Sequence, residues 1–341
     1  MHLTNLAKRR ILITGGTGFL GSHLCDYLTN HGCLEVVGTG RSYCDLRKGW
    51  QIRAMLAEIE PEIVIHLAGV GGGIRANLQA PGQFFYENAL MGIQLMEECR
   101  RMGVRKFVGI GSVASYPKFS PIPFQEKTLW NGYPDETTAP YSLAKKMLLV
   151  QAQAYRQQYS FPAITLLPVN LYGPRDNFEP QASTVVPALI RKFIEAREAH
   201  GEFVELWGTG GATREFLFVK DAAEAIALAA DRYNAAAPLN LGSGREVSIC
   251  ALAKMIQKLC RFSGEIRWDR SQPNGQPRRC VDTTRAAREI DFVARTDLED
   301  GLIETIKWYE KEQQHSSTSR QKTVAANCVN RPSLPTCVNR E

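Results

Sequence analysis

Three glycines at fixed spacing, set between a short apolar run and an amphipathic segment, constrain the fold of this chain more than any other feature. Arg10-Ile11-Leu12-Ile13-Thr14 reads as a strand and Gly21 to Thr29 as the following helix, so Gly15-Gly16-Thr17-Gly18-Phe19-Leu20-Gly21 is the turn between them. Gly15 permits a tight turn, Gly18 lets backbone approach a phosphate, and Gly21 lets the helix pack closely on the strand. The helix N-terminus adds unpaired N–H groups and a partial positive charge. Residues 15–21 are therefore read as a cradle for a dinucleotide pyrophosphate.

The rest of the first half keeps the rhythm of a parallel sheet wrapped by helices. Strands are expected at Glu35–Gly38, Glu62–Leu67, Lys106–Ile110 and Ala163–Leu167, with helices at about Pro81–Met102 and Tyr141–Tyr159. Continuous Val/Ile runs mark strands covered on both faces. From Tyr172 to Ala182 the chain turns polar. Helices are then expected at Val186–His200, Asp221–Asp231, Ser248–Cys260 and Leu298–Lys311, with Ser248 and Asp297 as caps and Leu239–Leu241 as an extra strand. The fold class is α/β, a Rossmann-type doubly wound parallel sheet with a smaller α/β lobe.

Composition narrows the function classes. The 341 residues carry 41 basic and 35 acidic side chains, a net +6. Arg320, Lys322, Arg331 and Arg340 against Glu341 place half of that excess in the last segment. The remainder is too dilute to call for nucleic acid or an anionic membrane. No run of eighteen apolar residues and no signal-peptide core occurs, and nine scattered cysteines lack metal-ligand spacing, so a cytoplasmic protein with reduced thiols and no metal is expected. Residues 313–341, rich in Ser, Thr, Asn and Arg and containing CVNR twice, are expected to be a disordered tail. None of the nine cysteines or six histidines falls between Arg100 and Ala199.

Two further groups of residues carry chemistry. After the second strand comes Gly38-Thr39-Gly40-Arg41-Ser42, where Arg41 can pair with a 2′-phosphate and no carboxylate intervenes before Asp45, which favours NADP(H) over NAD(H). Tyr141 and Lys145 lie four residues apart on one helix face, and Ser112 ends the fourth strand, where open parallel sheets place their ligands. In such a triad the lysine lowers the tyrosine pKa and holds the nicotinamide ribose. The tyrosine then exchanges a proton with a substrate oxygen that the serine also holds.

These residues resemble the extended short-chain dehydrogenase/reductases that act on nucleotide sugars, and within that family the GDP-L-fucose synthase branch. The likeness runs from the first strand to about Tyr309 and includes VGGGIRAN (70–77), Tyr116-Pro117-Lys118, PVNLYGPRDNF (168–178), VPALIRKF (186–193), Trp207-Gly208-Thr209-Gly210, Arg214-Glu215-Phe216-Leu217 and PNGQPR (273–278). It implies an NADPH-dependent oxidoreductase, homodimeric through two helices per subunit. The catalytic set would be Ser112, Tyr141 and Lys145. Asp45, Leu46, Leu67, Ala68, Pro168, Asn170 and Leu171 would join Arg41, Lys145 and the glycine loop around the cofactor. Asn177, Lys192, Trp207, Arg214 and Asp282 would contact a GDP-sugar. Residues 1–171, with 216–245 returning, would form the NADP-binding domain, and 172–215 with 246–312 the substrate lobe.

The resemblance fails at two positions. The branch epimerises C3 and C5 of a 4-keto sugar with a Cys in a GSSCxYP-type segment and a His in an SHVIPAL-type segment. Here Ala114 and Thr184 stand at those positions. Neither titrates near neutrality. Asp176 and Glu179 are nearby carboxylates of unassigned direction, and Ser115, if on a strand, faces away from Ala114. The reading is a 4-ketoreductase of a GDP-4-keto-6-deoxy-hexose without C3/C5 epimerisation. Two alternatives stay open: a 4-epimerase with tightly held NAD, and a non-catalytic NADP(H)-binding regulator.

Overall fold

The computed structural model describes residues 3–329 apart from residue 273. In chain order the elements are β1 (Arg10–Thr14), α1 (Phe19–Asn30), β2 (Glu35–Thr39), α2 (Gly49–Ile59), β3 (Ile63–His66), α3 (Ile74–Gln79), α4 (Pro81–Arg101), β4 (Lys106–Ile110), α5 (Ala139–Tyr159), β5 (Ala163–Pro168) and β6 (Asn170–Tyr172). They continue with α6 (Val185–Glu198), β7 (Phe203–Trp207), β8 (Thr213–Phe218), α7 (Val219–Arg232), β9 (Leu239–Leu241), β10 (Glu246–Ser248), α8 (Ile249–Leu259), β11 (Glu265–Asp269), α9 (Thr284–Ile290) and α10 (Leu298–Val329).

Six strands form one parallel sheet in the order β2-β1-β3-β4-β5-β9. Alternating side chains feed two cores. Ile11, Ile13, Ile63, Ile65 and Val108 pack with α1 and α7 on one face, whereas Leu12, Val64 and Phe107 pack with α2, α4 and α5 on the other. The chain moves from β1 to β2 on one side and then resumes at β3 on the other. That reversal opens a crevice at the carboxyl ends of β1 and β3.

A second lobe holds the three-stranded sheet β10-β8-β6 and the parallel pair β11-β7. Its core, which includes Tyr172, Phe193, Leu206, Ile256 and Leu302, is separate from the two around the main sheet. Because β6 follows β5 directly and β8 leads into α7, the two lobes share short, stiff connections. Their cleft lies over the carboxyl end of the main sheet.

Most expected elements are present within a few residues, and Ser248 caps α8 by accepting the Ala251 N–H. Helix α2 was not among the expectations, although Ile52, Met55, Leu56 and Ile59 bury one face at helical spacing. Helix α10 is described past residue 313 as far as Val329, through a stretch without Pro or Gly. The second CVNR copy lies outside the described residues. No described helix is long and apolar enough to cross a membrane.

Candidate active site

The glycine loop is shaped as the spacing demands. Gly15 has φ +74°, and a Cβ there would lie 2.8 Å from the Ala68 nitrogen at the end of β3. A Cβ on Gly21 would meet the Gly15 carbonyl oxygen, so the first turn of α1 rests directly on the loop. Gly18, the N-cap, has no side chain to satisfy the first N–H groups, and no acidic residue occupies the first turn. An anion can occupy this end of the helix without displacing anything. Gly16 presses against Gly38 of β2, a close approach whose second glycine the sequence reading did not assign.

At the end of β2, Arg41 is exposed. Asp45 is engaged elsewhere: Arg47 donates to both of its oxygens at 2.8 Å and holds its carboxyl at about 2. Arg47 also pairs with Glu87 of α4 at 3.1 Å. Asp45, the carboxylate nearest to Arg41 in the sequence, is thus neutralised, and Leu46 next to it is buried. This environment suits a phosphate at Arg41 better than a bare ribose.

Ser112, two residues beyond β4, caps a 3-10 turn at Val113–Ser115, its Oγ accepting the Ala114 N–H at 3.1 Å. Tyr141 sits in the first turn of α5, and its hydroxyl meets Ser112. Burial raises the Tyr141 pKa, and the Ser112 contact offsets part of the rise. The direction is opposite to the expected lowering by lysine, because desolvating the phenolate outweighs the one opposing influence, the Ser112 hydrogen bond. Lys145, one turn further and 5% exposed, is itself lowered by burial to about 8.

A side chain at position 69 would block that lysine. A Cβ on Gly69 would stand 3.2 Å from Lys145 Nζ and 2.9 Å from Asn88 Oδ1. Asn88 in turn clamps the start of the 70–77 segment, with Nδ2 donating to the Val70 and Phe84 carbonyls and Oδ1 accepting the Val70 N–H. Neither residue was singled out from the sequence. Beneath them His66 bonds Thr14 Oγ1 at 2.8 Å, and burial with the charge of Lys145 keeps its imidazole neutral, at about 3.

A cleft of about 500 Å³ opens at the N-terminal end of α5: Thr137 and Thr138, four and three residues before Tyr141, line it with Asn170, whereas Ser112, Tyr141 and Lys145 themselves do not. Arg75, Arg191, Lys192, Arg214 and Arg279 carry positive charge on its wall, and no lining residue carries a negative one. Arg214 is 9% exposed and donates to the Thr213 and Asn274 carbonyls, and it makes no ion pair with Glu215. The Glu215 carboxylate instead accepts the Gly244 and Val281 N–H groups. Burial and the like charge of Arg214 lower Arg279 to about 9. Asp135 attracts both guanidiniums, but neither makes a direct ion pair among the described residues, and two such guanidiniums together make an anion receptor.

Of the residues expected at substrate, Lys192, Trp207 and Arg214 line this cleft, whereas Asn177 and Asp282 do not. Asn177 is exposed and accepts the Glu179 N–H, a turn role. Asp282 bonds Gln125 and the Thr284 N–H at the start of α9. Arg279, which follows the PNGQPR segment, and Trp268, on β11 beside the strand that carries Trp207, also line the cleft and were missed. Thr184 is at the rim, N-terminal to α6, and Ala114 is buried in the turn beside Ser112. Ser115 is on that turn and not on a strand; it is buried and donates to the Ser142 carbonyl. Among the described residues no cluster of His, Cys, Asp or Glu could hold a metal.

The family model for "NAD dependent epimerase/dehydratase family" matches residues 11–242, the span that holds the glycine loop and the triad. The chain belongs to this family. Among proteins similar to this member is "Probable GDP-L-fucose synthase 1" of Oryza sativa subsp. japonica, 37% identical over 311 residues, 90% of this chain and 94% of that one. Similar solved structures include a GDP-6-OMe-4-keto-L-xylo-heptose reductase from C. jejuni, with TM-score 0.83 and 26% identity over 90% of this chain and 99% of that one. Another is MlghC, GDP-mannoheptose C4 reductase from Campylobacter jejuni with NADP bound, with TM-score 0.78 and 26% identity over 89% of this chain and 99% of that one. The family places the chain among nucleotide-binding α/β enzymes, in agreement with the parallel sheet and the loop.

Proposed function

We propose that this family member is an NADPH-dependent 4-ketoreductase of a GDP-4-keto-6-deoxy-hexose, without C3/C5 epimerase activity. The observation that carries the proposal is the pairing of Ser112, Tyr141 and Lys145 with an adjoining cleft that has five cationic side chains and no anionic one. Such a cleft suits a sugar attached to a diphosphate. Relatives named as GDP-L-fucose synthases and GDP-heptose reductases support the GDP-sugar class, and the neighbour solved with NADP supports the cofactor.

NADPH, when bound, supplies the hydride that C4 receives. The protein's residues do the rest. The loop at 15–21 and α1 fit the pyrophosphate, Arg41 the 2′-phosphate, and Leu67, Ala68, Pro168 and Leu171 the space between the sheet and the nicotinamide. Lys145 donates to the ribose hydroxyls. Ser112, with a lone pair occupied by the Ala114 N–H, turns its own proton toward the C4 oxygen. Tyr141, kept protonated by burial, gives its proton to that oxygen as the carbonyl becomes an alcohol. A raised tyrosine pKa suits an acid and therefore the reductive direction.

Epimerisation needs a base and an acid at C3 and C5. Ala114 offers a methyl group and Thr184 an unactivated hydroxyl. A homodimer would use the outer face of α4 and α5, where Trp130, Met147 and Val150 are 54%, 38% and 50% exposed around a shallow apolar groove.

The test is GDP-4-keto-6-deoxymannose and NADPH in D₂O, following NADPH absorbance and identifying the sugar by NMR. NADPH should be consumed with no deuterium at C3 or C5, and Tyr141→Phe should lower kcat about 10²- to 10⁴-fold. Deuterium at those carbons would overturn the reductase-only assignment. Copurified NAD⁺ with interconversion of C4 epimers would point to the 4-epimerase alternative.

A further inference from the structure

Gln276 lines the cleft yet is only 1% exposed, and both ends of its amide are used. Nε2 donates to the Pro117 carbonyl at 3.2 Å and to the Lys118 carbonyl at 3.0 Å, on the loop that leaves the Ser112 turn. Oε1 accepts the Arg279 Nε–H at 3.0 Å. One side chain therefore spans from the loop of the catalytic strand to a guanidinium on the cleft wall. The neighbouring backbone is fixed as well, by Thr213 N donating to Pro277 O and by Arg214 donating to Asn274 O. The amide bond is the hydrogen bond that fixes the rotation of Arg279. Asp135, the carboxylate that attracts both Arg214 and Arg279, is occupied by the Thr137 N–H and Lys118.

We propose that Gln276 is a positioning residue that aims Arg279, beside Arg214, at the outer phosphate of the substrate's diphosphate and ties that grip to the loop carrying Ser112. The proposal rests on the nucleoside-diphosphate-sugar reading of the cleft. An arginine beside a like charge gains nothing by turning inward, and without an acceptor at Nε it would rotate toward solvent or toward Asp135. Holding Nε leaves the two terminal nitrogens for phosphate oxygens, the geometry in which a guanidinium binds best. The link to Pro117 and Lys118 then fixes the distance from the diphosphate to the serine and tyrosine that meet the sugar oxygen. Phosphate binding is thereby converted into orientation of the reacting carbonyl.

Calorimetric titration of the full-length protein with GDP and with GMP tests this without turnover. The wild type should bind GDP at least tenfold more tightly than GMP. Arg279→Met and Gln276→Met should each bring that ratio close to one while GMP affinity changes less than threefold, and the double variant should be no worse than Arg279→Met alone. A GDP/GMP ratio unchanged by Gln276→Met, or an effect that persists undiminished on top of Arg279→Met, would overturn the proposal. A merely structural glutamine would weaken both ligands together. If Gln276→Met does not fold, the isosteric Gln276→Glu serves. It keeps an acceptor for Arg279 but neutralises the guanidinium and cannot donate to Pro117 or Lys118, so the ratio should again collapse, and an unaltered ratio would overturn the proposal. Failure of the wild type to prefer GDP would instead refute the diphosphate reading on which the proposal stands.

Discussion

Asp176 offers the most quantitative test of the structure. It sits on the loop after β6, with one carboxylate oxygen accepting the Asn177 N–H at 2.7 Å and the other buried without a partner. Burial, opposed only by that one bond, raises its pKa to about 7. The unfolded chain ionises near 4. Between these values the native state holds a proton that the unfolded state has lost, so stability falls as pH rises from about 4 to about 7 and is flat above. A shift of about 3 units at 1.36 kcal/mol each sets a ceiling of about 4 kcal/mol, and solvent at the outer face of the loop reduces it to about 2 kcal/mol. Asp176→Asn removes the ionisation. Its new amide N–H₂ meets the same lack of a partner, at a pH-independent cost of about 1–3 kcal/mol. Relative to the parent, the variant should gain about 2–4 kcal/mol between pH 4 and pH 8, a relative swing in Tm of about 4–8 °C at about 2 °C per kcal/mol. Calorimetric melts across that range measure it, and parallel Tm curves for the two proteins would refute the reasoning. Because Asp176 does not line the cleft, deuterium incorporation at C3 and C5 should stay at background in both.

Three further outcomes follow from the site. Lys145, lowered by burial to about 8, loses its charge as pH rises through that value, so kcat/KM for NADPH should fall with a midpoint near pH 8; Lys145→Arg should flatten the profile, and an unchanged midpoint would count against the assignment. Ala114→Cys together with Thr184→His should introduce deuterium at C3 or C5 of the 4-keto sugar, about 10²-fold above the parent, with neither single change sufficient; exchange equal to the parent would mean that the pocket does not hold those carbons between positions 114 and 184. For the proposed homodimer, Val150→Asp on the exposed face of α5 should give a monomer in sedimentation where the parent sediments as a dimer, without lowering Tm by more than a few degrees; a monomeric parent or a variant that stays dimeric would refute this interface.

What could be read from the sequence divides by the range of the physics involved. The β1 turn and α1 were legible because glycine spacing acts within a few residues, and the sheet because both faces of its strands are apolar. The triad was legible because Tyr141 and Lys145 share one helix and Ser112 lies just beyond one strand. The cleft was only half legible. Lys192, Trp207 and Arg214 lie in segments that resemble the family, whereas the proposed roles of Arg279 and Gln276 rest on contacts with β8 and with the loop after β4, far away in the chain. Asp282, which does not line the cleft, shows the same limit: an acid two residues before a helix serves the helix end as readily as a ligand, and only tertiary placement decides which.

The pKa of Tyr141 shows why the sign of an effect can be lost when residue types alone are read. From the spacing, a cation one helical turn away should lower it. In the folded chain both groups are buried, burial penalises the phenolate and the ammonium alike, and the tyrosine rises while the lysine falls. The result fits the proposed reduction, in which Tyr141 must be protonated when the hydride arrives. The same desolvation that keeps Tyr141 an acid would hinder the phenolate needed to start an oxidation. In the proposed reductase the two features fit together: Tyr141 holds the proton that the C4 oxygen receives, and neither Ala114 nor Thr184 offers an acid or base to the sugar's other carbons.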